Sequence, residues 1–206
     1  MTEFDDVVLV GDAAGFFCSG VIVKPRVVLT AAHCAHGTRI AVGHLSSQAT
    51  TIPIIRASTH AVEDIAVLAL DRDVEVRVHA LRLSDHGAPV SEIAIAGFGV
   101  RDPERVTGFG IKRIRRVLPD GWGCDLRRGR ELGCRPETEL LLQGGHDDDT
   151  CFGDSGGGAF ERTSGGWRLI GITSRGTSPK RVVCGEGGVY VRIDVVHAWL
   201  AEQGAT

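Results

Sequence analysis

The sequence predicts an all-β fold made of two antiparallel barrels and a C-terminal helix. Short runs of aliphatic and β-branched residues recur along the 206 residues, separated by polar or glycine-containing turns. Many short strands with turns between them favour paired antiparallel barrels over a parallel sheet, and the second half of the chain repeats the pattern of the first. At the end, Val195–Glu202 has apolar residues at helical spacing, which predicts an α-helix.

The first barrel is predicted from seven short segments. Six strands are expected at Val7–Val10, Cys18–Val23, Val27–Leu29, Thr38–Val42, Thr51–Ile55 and Ile65–Leu70. Pro53 marks a bulge or an edge position, because proline cannot donate a hydrogen bond to a strand ladder. Leu81–Ser84 is expected to close this barrel.

The second half contains six further predicted strands. They are Ile93–Gly99, Ile111–Leu118, Glu139–Leu142, Ala159–Phe160, Trp167–Thr173 and Gly188–Ile193. The polar segment Ser84–Ser91 is the candidate connection between the halves. The length suits a single domain of two lobes, with barrels at about residues 1–85 and 90–193 and the helix at about 194–203.

Charge and composition exclude several classes of function. The 23 basic and 26 acidic residues give a formal net charge of -3, which offers no case for binding nucleic acid or a membrane surface. No apolar run approaches the roughly 18 residues of a membrane span, and the acidic start Met1–Asp6 is not a secretory signal. No Cys-x-x-Cys occurs among the six cysteines, which disfavours a structural zinc site.

One glycine-rich stretch, Asp149–Ala159, carries the strongest chemical signal. Its sequence Asp-Thr-Cys-Phe-Gly-Asp-Ser-Gly-Gly-Gly-Ala places one hydroxyl, Ser155, among residues that leave it accessible. A serine hydroxyl is a weak nucleophile and needs a base and oxyanion donors. The backbone N–H groups of Gly153 and Ser155 are candidates for the donors. Without a base elsewhere, the stretch would be only a flexible turn.

A base and an orienting acid occur earlier in the chain. Thr-Ala-Ala-His-Cys follows an apolar run and supplies His33, and Asp-Ile-Ala-Val-Leu opens a strand-like segment with Asp64. Glu63 is a rival carboxylate, but alternation along the strand turns it to the opposite face. The order His, Asp, Ser is one of the chain orders in which a catalytic triad is assembled.

These three motifs resemble those of the trypsin-like, chymotrypsin-fold serine peptidases, from about Phe17 to the end of the chain. The resemblance implies two packed six-stranded antiparallel barrels with a C-terminal helix. It also implies a serine endopeptidase in which Ser155 is the nucleophile, His33 the general base and Asp64 the orienting acid. The oxyanion would be held by the Gly153 and Ser155 N–H groups, and protein or peptide chains would be the substrates.

The resemblance further implies a primary specificity pocket. Asp149 lies six residues before Ser155, where an aspartate at the pocket floor selects arginine or lysine before the scissile bond. Gly176 and Gly188 match the two small wall residues, and Ser174–Gly176 matches the edge that pairs with extended substrate. Alternatively, Asp147–Asp149 form a solvated acidic turn. Arg175 replaces the family's aromatic residue, so it either favours acidic substrate residues or lies on the surface.

The six cysteines allow about 15 pairings, and the resemblance selects two of them. These are Cys18–Cys34, beside the histidine, and Cys151–Cys184, beside the serine, which leave Cys124 with Cys134. Three disulfides favour a secreted protein, whereas a native Met1 start without a signal favours the cytoplasm. No cofactor or metal is expected: Cys34 is taken by its disulfide, so Cys18, His33, Cys34 and His36 are disfavoured as ligands. His44–Ser58 lacks the paired acidic residues of a calcium loop.

The chain departs from the family pattern near its start. No Ile-Val-Gly-Gly sequence is present, although in the family a freed N-terminal amine pairs with the aspartate that corresponds to Asp154. The alternatives are therefore that Asp154 finds another cation, that it stays hydrogen-bonded, or that the enzyme is latent until a partner protein acts. A non-catalytic interaction module with a peptidase fold is the competing class of function.

Overall fold

The computed structural model describes residues 3–84, 92–102, 106–117, 124, 127–142, 150–177, 184 and 187–206. The first half contains six strands: β1 Val7–Gly11, β2 Phe16–Lys24, β3 Val27–Thr30, β4 Arg39–Val42, β5 Thr50–Thr59 and β6 Ala66–Leu70. Seven more follow: β7 Ala80–Leu81, β8 Ile93–Gly97, β9 Arg113–Val117, β10 Glu139–Leu142, β11 Gly158–Thr163, β12 Gly166–Gly176 and β13 Gly188–Arg192. The helices are α1 Arg127–Glu131 and α2 Ile193–Glu202.

The first six strands form a closed barrel in the order β1-β2-β3-β6-β5-β4. Strand β1 is apolar on both faces because both of its faces are covered. Val8 and Val10 on β1 pack with Ile22 and Leu68 in one core cluster. Since side chains alternate along a strand, Val7 and Leu9 point the other way and join a second cluster that contains residues of the other half. This explains the unbroken apolar run at the start of β1.

The strands of the second half form a sheet in the order β10-β13-β12-β11-β8-β9. The prediction that Leu81–Ser84 closes the first barrel is wrong, because β7 instead pairs in parallel with β12 of this sheet. The following residue fixes that arrangement: the Arg82 N–H donates to the Leu169 carbonyl at 2.9 Å, and its buried guanidinium pairs with Glu161 at 3.4 Å. The proposed connection at residues 85–91 lies outside the described residues.

The predicted fold class, all-β with a C-terminal helix, is confirmed by this architecture. The bulge expected near Pro53 occurs just after it, where the pairing of β5 with β6 shifts register between Ile54 and Arg56. Helix α2 begins two residues before Val195 and buries Val196 and Leu200. The short helix α1 was not predicted. Within the described ranges, no helix has the length and apolar character needed to cross a membrane.

The segment before β1 ties the two halves together. The Trp167 indole N–H donates to Glu3 at 2.6 Å, and Phe4 is buried against the rings of Phe160 and Trp167. His79 pairs with the buried Asp6 at 2.7 Å. These contacts hold the barrel against the second sheet, and the candidate site lies between the two halves.

Candidate active site

The pairing of β3 with β6 brings His33 and Asp64 together. Thr30 at the end of β3 lies opposite Ala66 at the start of β6. The short 3₁₀ turn after β3 carries His33, and the loop before β6 carries Asp64. The His33 Nδ1 atom lies 2.9 Å from Asp64 Oδ2 and 3.1 Å from Oδ1. The backbone N–H of His33 also donates to Oδ1, at 3.1 Å.

The second half supplies a further donor to Asp64. The Ser174 hydroxyl on β12 donates to Asp64 Oδ2 at 2.7 Å. Burial raises the pKa of Asp64, but the hydrogen bonds from His33 and Ser174 outweigh it and lower the pKa to about 2. The same hydrogen bond to Asp64 raises the pKa of His33, against the opposing effect of burial. An ionised Asp64 therefore keeps a proton on His33 Nδ1 and leaves Nε2 as the basic nitrogen.

The loop that carries Ser155 requires glycine at defined positions. Gly153 has a φ of 95° and Gly156 a φ of 83°, which is the left-handed region that favours glycine. A Cβ on Gly156 would overlap Thr30 Oγ1 and the Ser19 carbonyl, so this turn fits only against the first barrel without a side chain. Among the described residues, neither the Gly153 nor the Ser155 N–H donates to an acceptor, so both are available to a substrate oxygen.

His33, Asp64 and Ser155 line one cleft of about 770 Å³. Ser174, Arg175 and Gly176 form one part of its wall. Phe17, His36 and Phe152 form another part, with the rings of Phe17 and His36 stacked at 4.5 Å. The cleft thus combines a hydroxyl, an imidazole, a partly buried carboxylate and the end of β12 beyond its pairing with β11, which are the components that acyl transfer from a peptide requires.

Comparisons with known proteins identify the family. The family model described as Trypsin matches residues 6–200. This chain belongs to the trypsin family. Human serine protease 56 is 32% identical over 90% of the chain, and CLIP domain-containing serine protease B4 of Anopheles gambiae is 26% identical over 91%. The matches cover 34% and 62% of those relatives, so the chain spans about one to two thirds of their length.

A solved structure supports the same fold. Neuropsin, a serine protease expressed in the limbic system of mouse brain, superposes with a TM-score of 0.80 over 98% of this chain and 95% of that one. The sequence identity is 21%, which supports the fold alone. The trypsin-family fold is thus established independently by the family model and by the structural neighbour.

The predicted pocket residues are described only in part. Gly176 on β12 pairs with Gly188 on β13, so the two small residues stand side by side at one end of the sheet. Ser174 lies next to them and contacts Asp64. Asp149 lies outside the described residues, so its place at the pocket floor stays a prediction.

The disulfides join Cys18 to Cys34, Cys124 to Cys134 and Cys151 to Cys184. The first and the third are the pairs that the resemblance implied, and the second joins the two cysteines that were left over. The sulfur atoms of Cys18 and Cys34 lie near the His33 ring, all within 4.8 Å of one another. Because both sulfurs are in a disulfide, they lack the thiolate form that binds metal, and this cluster is unsuited to holding an ion.

Asp154 is held by backbone N–H groups in this trypsin-family site. Its carboxylate accepts hydrogen bonds from the backbone N–H groups of Gly99 at 2.7 Å and Cys151 at 2.9 Å. A Cβ at Gly97 or Gly99 would overlap this carboxylate, which accounts for both glycines of the Gly-Phe-Gly sequence. These contacts correspond to the alternative in which Asp154 stays hydrogen-bonded, here to backbone N–H groups.

Sequence reasoning missed Ser19, which joins the nucleophile loop to the first barrel. The buried Ser19 hydroxyl donates to the Gly153 carbonyl at 2.8 Å and accepts from the Phe98 N–H at 3.0 Å. Its backbone N–H donates to the Ser155 carbonyl at 2.8 Å. No motif marks this residue: the available signal was a serine in an otherwise apolar strand, next to a disulfide cysteine.

The low pKa of Asp64 predicts an acid-dependent contribution to stability. An aspartate has a pKa of roughly 4 in an unfolded chain, whereas Asp64 in the folded chain has a pKa of about 2. Ionised Asp64 therefore stabilises the fold above pH ~4, and this contribution is lost as the pH falls from about 4 to about 2. We expect the stability difference between the wild type and Asp64→Asn to shrink by about 1–2 kcal/mol between pH 5 and pH 2.

Urea unfolding followed by circular dichroism at both pH values measures this difference. Asp71→Asn is the matched control, because Asp71 is exposed after β6. An equal loss in the wild type and in Asp64→Asn would contradict the assigned pKa.

Proposed function

We propose that this trypsin-family chain is a serine endopeptidase that works through an acyl-enzyme. Ser155 Oγ attacks the carbonyl carbon while His33 Nε2 takes its proton, and the protonated His33 then gives that proton to the leaving amine. Asp64 stabilises the imidazolium between these two steps. Backbone N–H groups of Gly153 and Ser155 hold the oxyanion. Water then repeats the attack and frees the enzyme.

The observation that carries this proposal is the hydrogen-bonded His33–Asp64 pair in the same cleft as Ser155. A histidine and an aspartate could pair for structural reasons alone. Here the pair lines the same cleft as a serine on a glycine-rich loop with two available N–H donors. The edge of β12 at Ser174–Gly176, beyond its pairing with β11, lines that cleft too. An extended peptide added to that edge would present its carbonyl to Ser155.

For the substrate, we infer a preference for arginine or lysine before the scissile bond. Asp149 at the pocket floor would supply the selecting charge. A buried carboxylate is costly unless a cation meets it, so such a pocket would reject apolar side chains strongly. Gly176 has open space where a side chain would begin, whereas Gly188 packs against Thr150 and Tyr190, so the room for a long substrate side chain lies on the side of Gly176.

The Asp149→Ser variant tests this preference. We expect wild-type protein to cleave a peptide library after arginine and lysine, and the variant to lose this preference by about 10²-fold or more, because the charged partner is gone. Mass spectrometry of the cleavage products measures both profiles. Asp147→Ser and Asp148→Ser are the matched controls. Retained cleavage after arginine by Asp149→Ser, or its loss in the controls, would place the selecting charge elsewhere.

The rival functions differ in the reactivity of Ser155. A domain activated by a partner protein, or an interaction module that has lost catalysis, would leave Ser155 unreactive toward a fluorophosphonate in the pure protein. The two N–H donors to Asp154 favour the competent form, because they hold the nucleophile loop without a second protein. The three disulfides favour an oxidising compartment, and we infer that the chain acts outside the cell.

A further inference from the structure

Glu139 and Arg175 form an ion pair beside the cleft, in which the carboxylate is buried and the arginine side chain is 41% exposed. Glu139 lies on β10, and its side chain is fully buried. Arg175 on β12 donates from Nη1 to Glu139 Oε1 at 2.8 Å and from Nη2 to Oε2 at 2.9 Å. This two-pronged contact is the strongest geometry available to an arginine and a carboxylate. Arg175 is therefore anchored to Glu139 while its side chain stays partly exposed on the cleft wall, and the two sequence-based alternatives for it stay predictions.

A second arginine completes a neutral network that reaches Asp64. Arg135 donates from its backbone N–H to Glu139 Oε2 at 2.9 Å and from Nη2 to Oε1 at 3.1 Å. The same Nη2 donates to the buried Glu63, which directly precedes Asp64. Two guanidinium groups thus balance two buried carboxylates. The pair Cys124–Cys134 supports this network, since Gly133 next to it accepts a hydrogen bond from Arg175 Nη2 at 2.7 Å.

Arg175 also lies one hydrogen bond away from the histidine–aspartate pair. Its Nη1 atom is 3.4 Å from Ser174 Oγ, and Ser174 donates to Asp64. A guanidinium released from Glu139 would find on this side the Asp64 carboxylate, to which the Ser174 hydroxyl already links it. By neutralising Asp64 it would weaken the stabilisation of the His33 imidazolium.

We propose that Glu139 is a positioning residue that holds Arg175 away from Asp64, so that the Asp64 carboxylate serves His33 and Ser174 alone. The proposal rests on the function assigned to His33 and Asp64 above. Burial would raise the pKa of Glu139, but Arg175 and Arg135 hold it below its ordinary value. The carboxylate therefore stays charged and keeps its hold on Arg175 at neutral pH.

Other ionisable groups lie close enough to His33 to influence its titration. The cleft lining contributes His36 from the loop of His33 itself, Asp64 from the loop before β6 and Arg175 from β12. Glu63 and Arg135 lie behind Asp64. His36 and Asp64 are unchanged in the variants below, so a change in the titration of His33 reports the release of Arg175.

The test is an NMR titration of the His33 imidazole in the full chain. In Glu139→Gln we expect the pKa of His33 to fall, the acid limb of kcat/KM to move to lower pH with it, and kcat to fall about tenfold with KM within about twofold. In Glu139→Gln/Arg175→Gln, which removes both charges, the titration is expected to return to that of the wild type. Glu131→Gln, on the exposed part of α1, is the matched control.

A wild-type titration in folded Glu139→Gln, or a lowered pKa that persists in the double variant, would overturn the proposal. If Glu139→Gln does not fold, as judged by circular dichroism, the His33 titration is measured in Arg175→Gln instead. The proposal then expects a His33 pKa at or above the wild-type value, and a lower one overturns it. Absence of hydrolysis by the wild type would refute the peptidase assignment but would leave the titration comparison valid.

Discussion

Ser155→Ala is expected to lower the hydrolysis of an arginyl reporter peptide by roughly 10⁴-fold or more. The hydroxyl is the only protein group in the proposed mechanism that forms a bond to substrate carbon. The remaining oxyanion donors and His33 can at best assist direct attack by water. Initial rates with a chromogenic arginyl ester or amide measure the loss. Unchanged turnover would refute the assignment of the nucleophile.

Two controls make this result specific. Ser164→Ala removes a hydroxyl from the exposed turn between β11 and β12 and is expected to keep the full rate. A fluorophosphonate is expected to label the wild type and Ser164→Ala but not Ser155→Ala, because it needs an activated serine. An unlabelled but folded wild type would favour an interaction module, and labelling only after addition of a second protein would favour a partner-activated domain.

Asp64→Asn is expected to lower kcat by about 10⁴-fold while the fold remains intact. The carboxylate accepts a hydrogen bond from His33 Nδ1 at 2.9 Å. An asparagine can offer its amide N–H to Nδ1 instead, which would put the imidazole proton on Nε2, where a base is needed. The negative charge that stabilises the imidazolium is lost as well. Because asparagine has nearly the same shape as aspartate, the loss of kcat would reflect the changed tautomer of His33 and the missing charge of Asp64.

Steady-state kinetics of Asp64→Asn between pH 5 and pH 9 measure this effect. Asp71→Asn, an exposed position just after β6, is expected to match the wild type throughout. A loss of less than about tenfold in Asp64→Asn would show that His33 does not depend on Asp64, and the role of orienting acid would have to be given to another group.

The sequence was informative where chemistry restricts residue type. A nucleophile on a glycine-rich loop, a histidine after an apolar strand and an aspartate before another leave a recognisable local pattern. The strand pairing that joins two of them follows from apolar strands of matching length. For this reason the His33–Asp64 contact could be anticipated from local sequence, and so could most strands.

Long-range polar contacts could not be anticipated in this way. Ser19 meets Gly153 across 134 positions of the chain, and Arg175 meets Glu139 across 36. Each such pair is one choice among many serines or charged residues, and no local spacing marks it. The same reason explains the wrong prediction for Leu81–Ser84: a short apolar strand does not encode which sheet it joins.

The contacts of Ser19 help to fix the position of the nucleophile Ser155 relative to the base His33. Cys34 follows His33 in the chain and forms a disulfide with Cys18. Ser19, which follows Cys18, donates hydrogen bonds to the carbonyl groups of Gly153 and Ser155. This chain of covalent links and hydrogen bonds passes through β2 of the barrel and connects the two reactive residues without passing through the second sheet. If the barrel slid slightly against the second sheet, His33 and Ser155 would therefore move together and keep their separation.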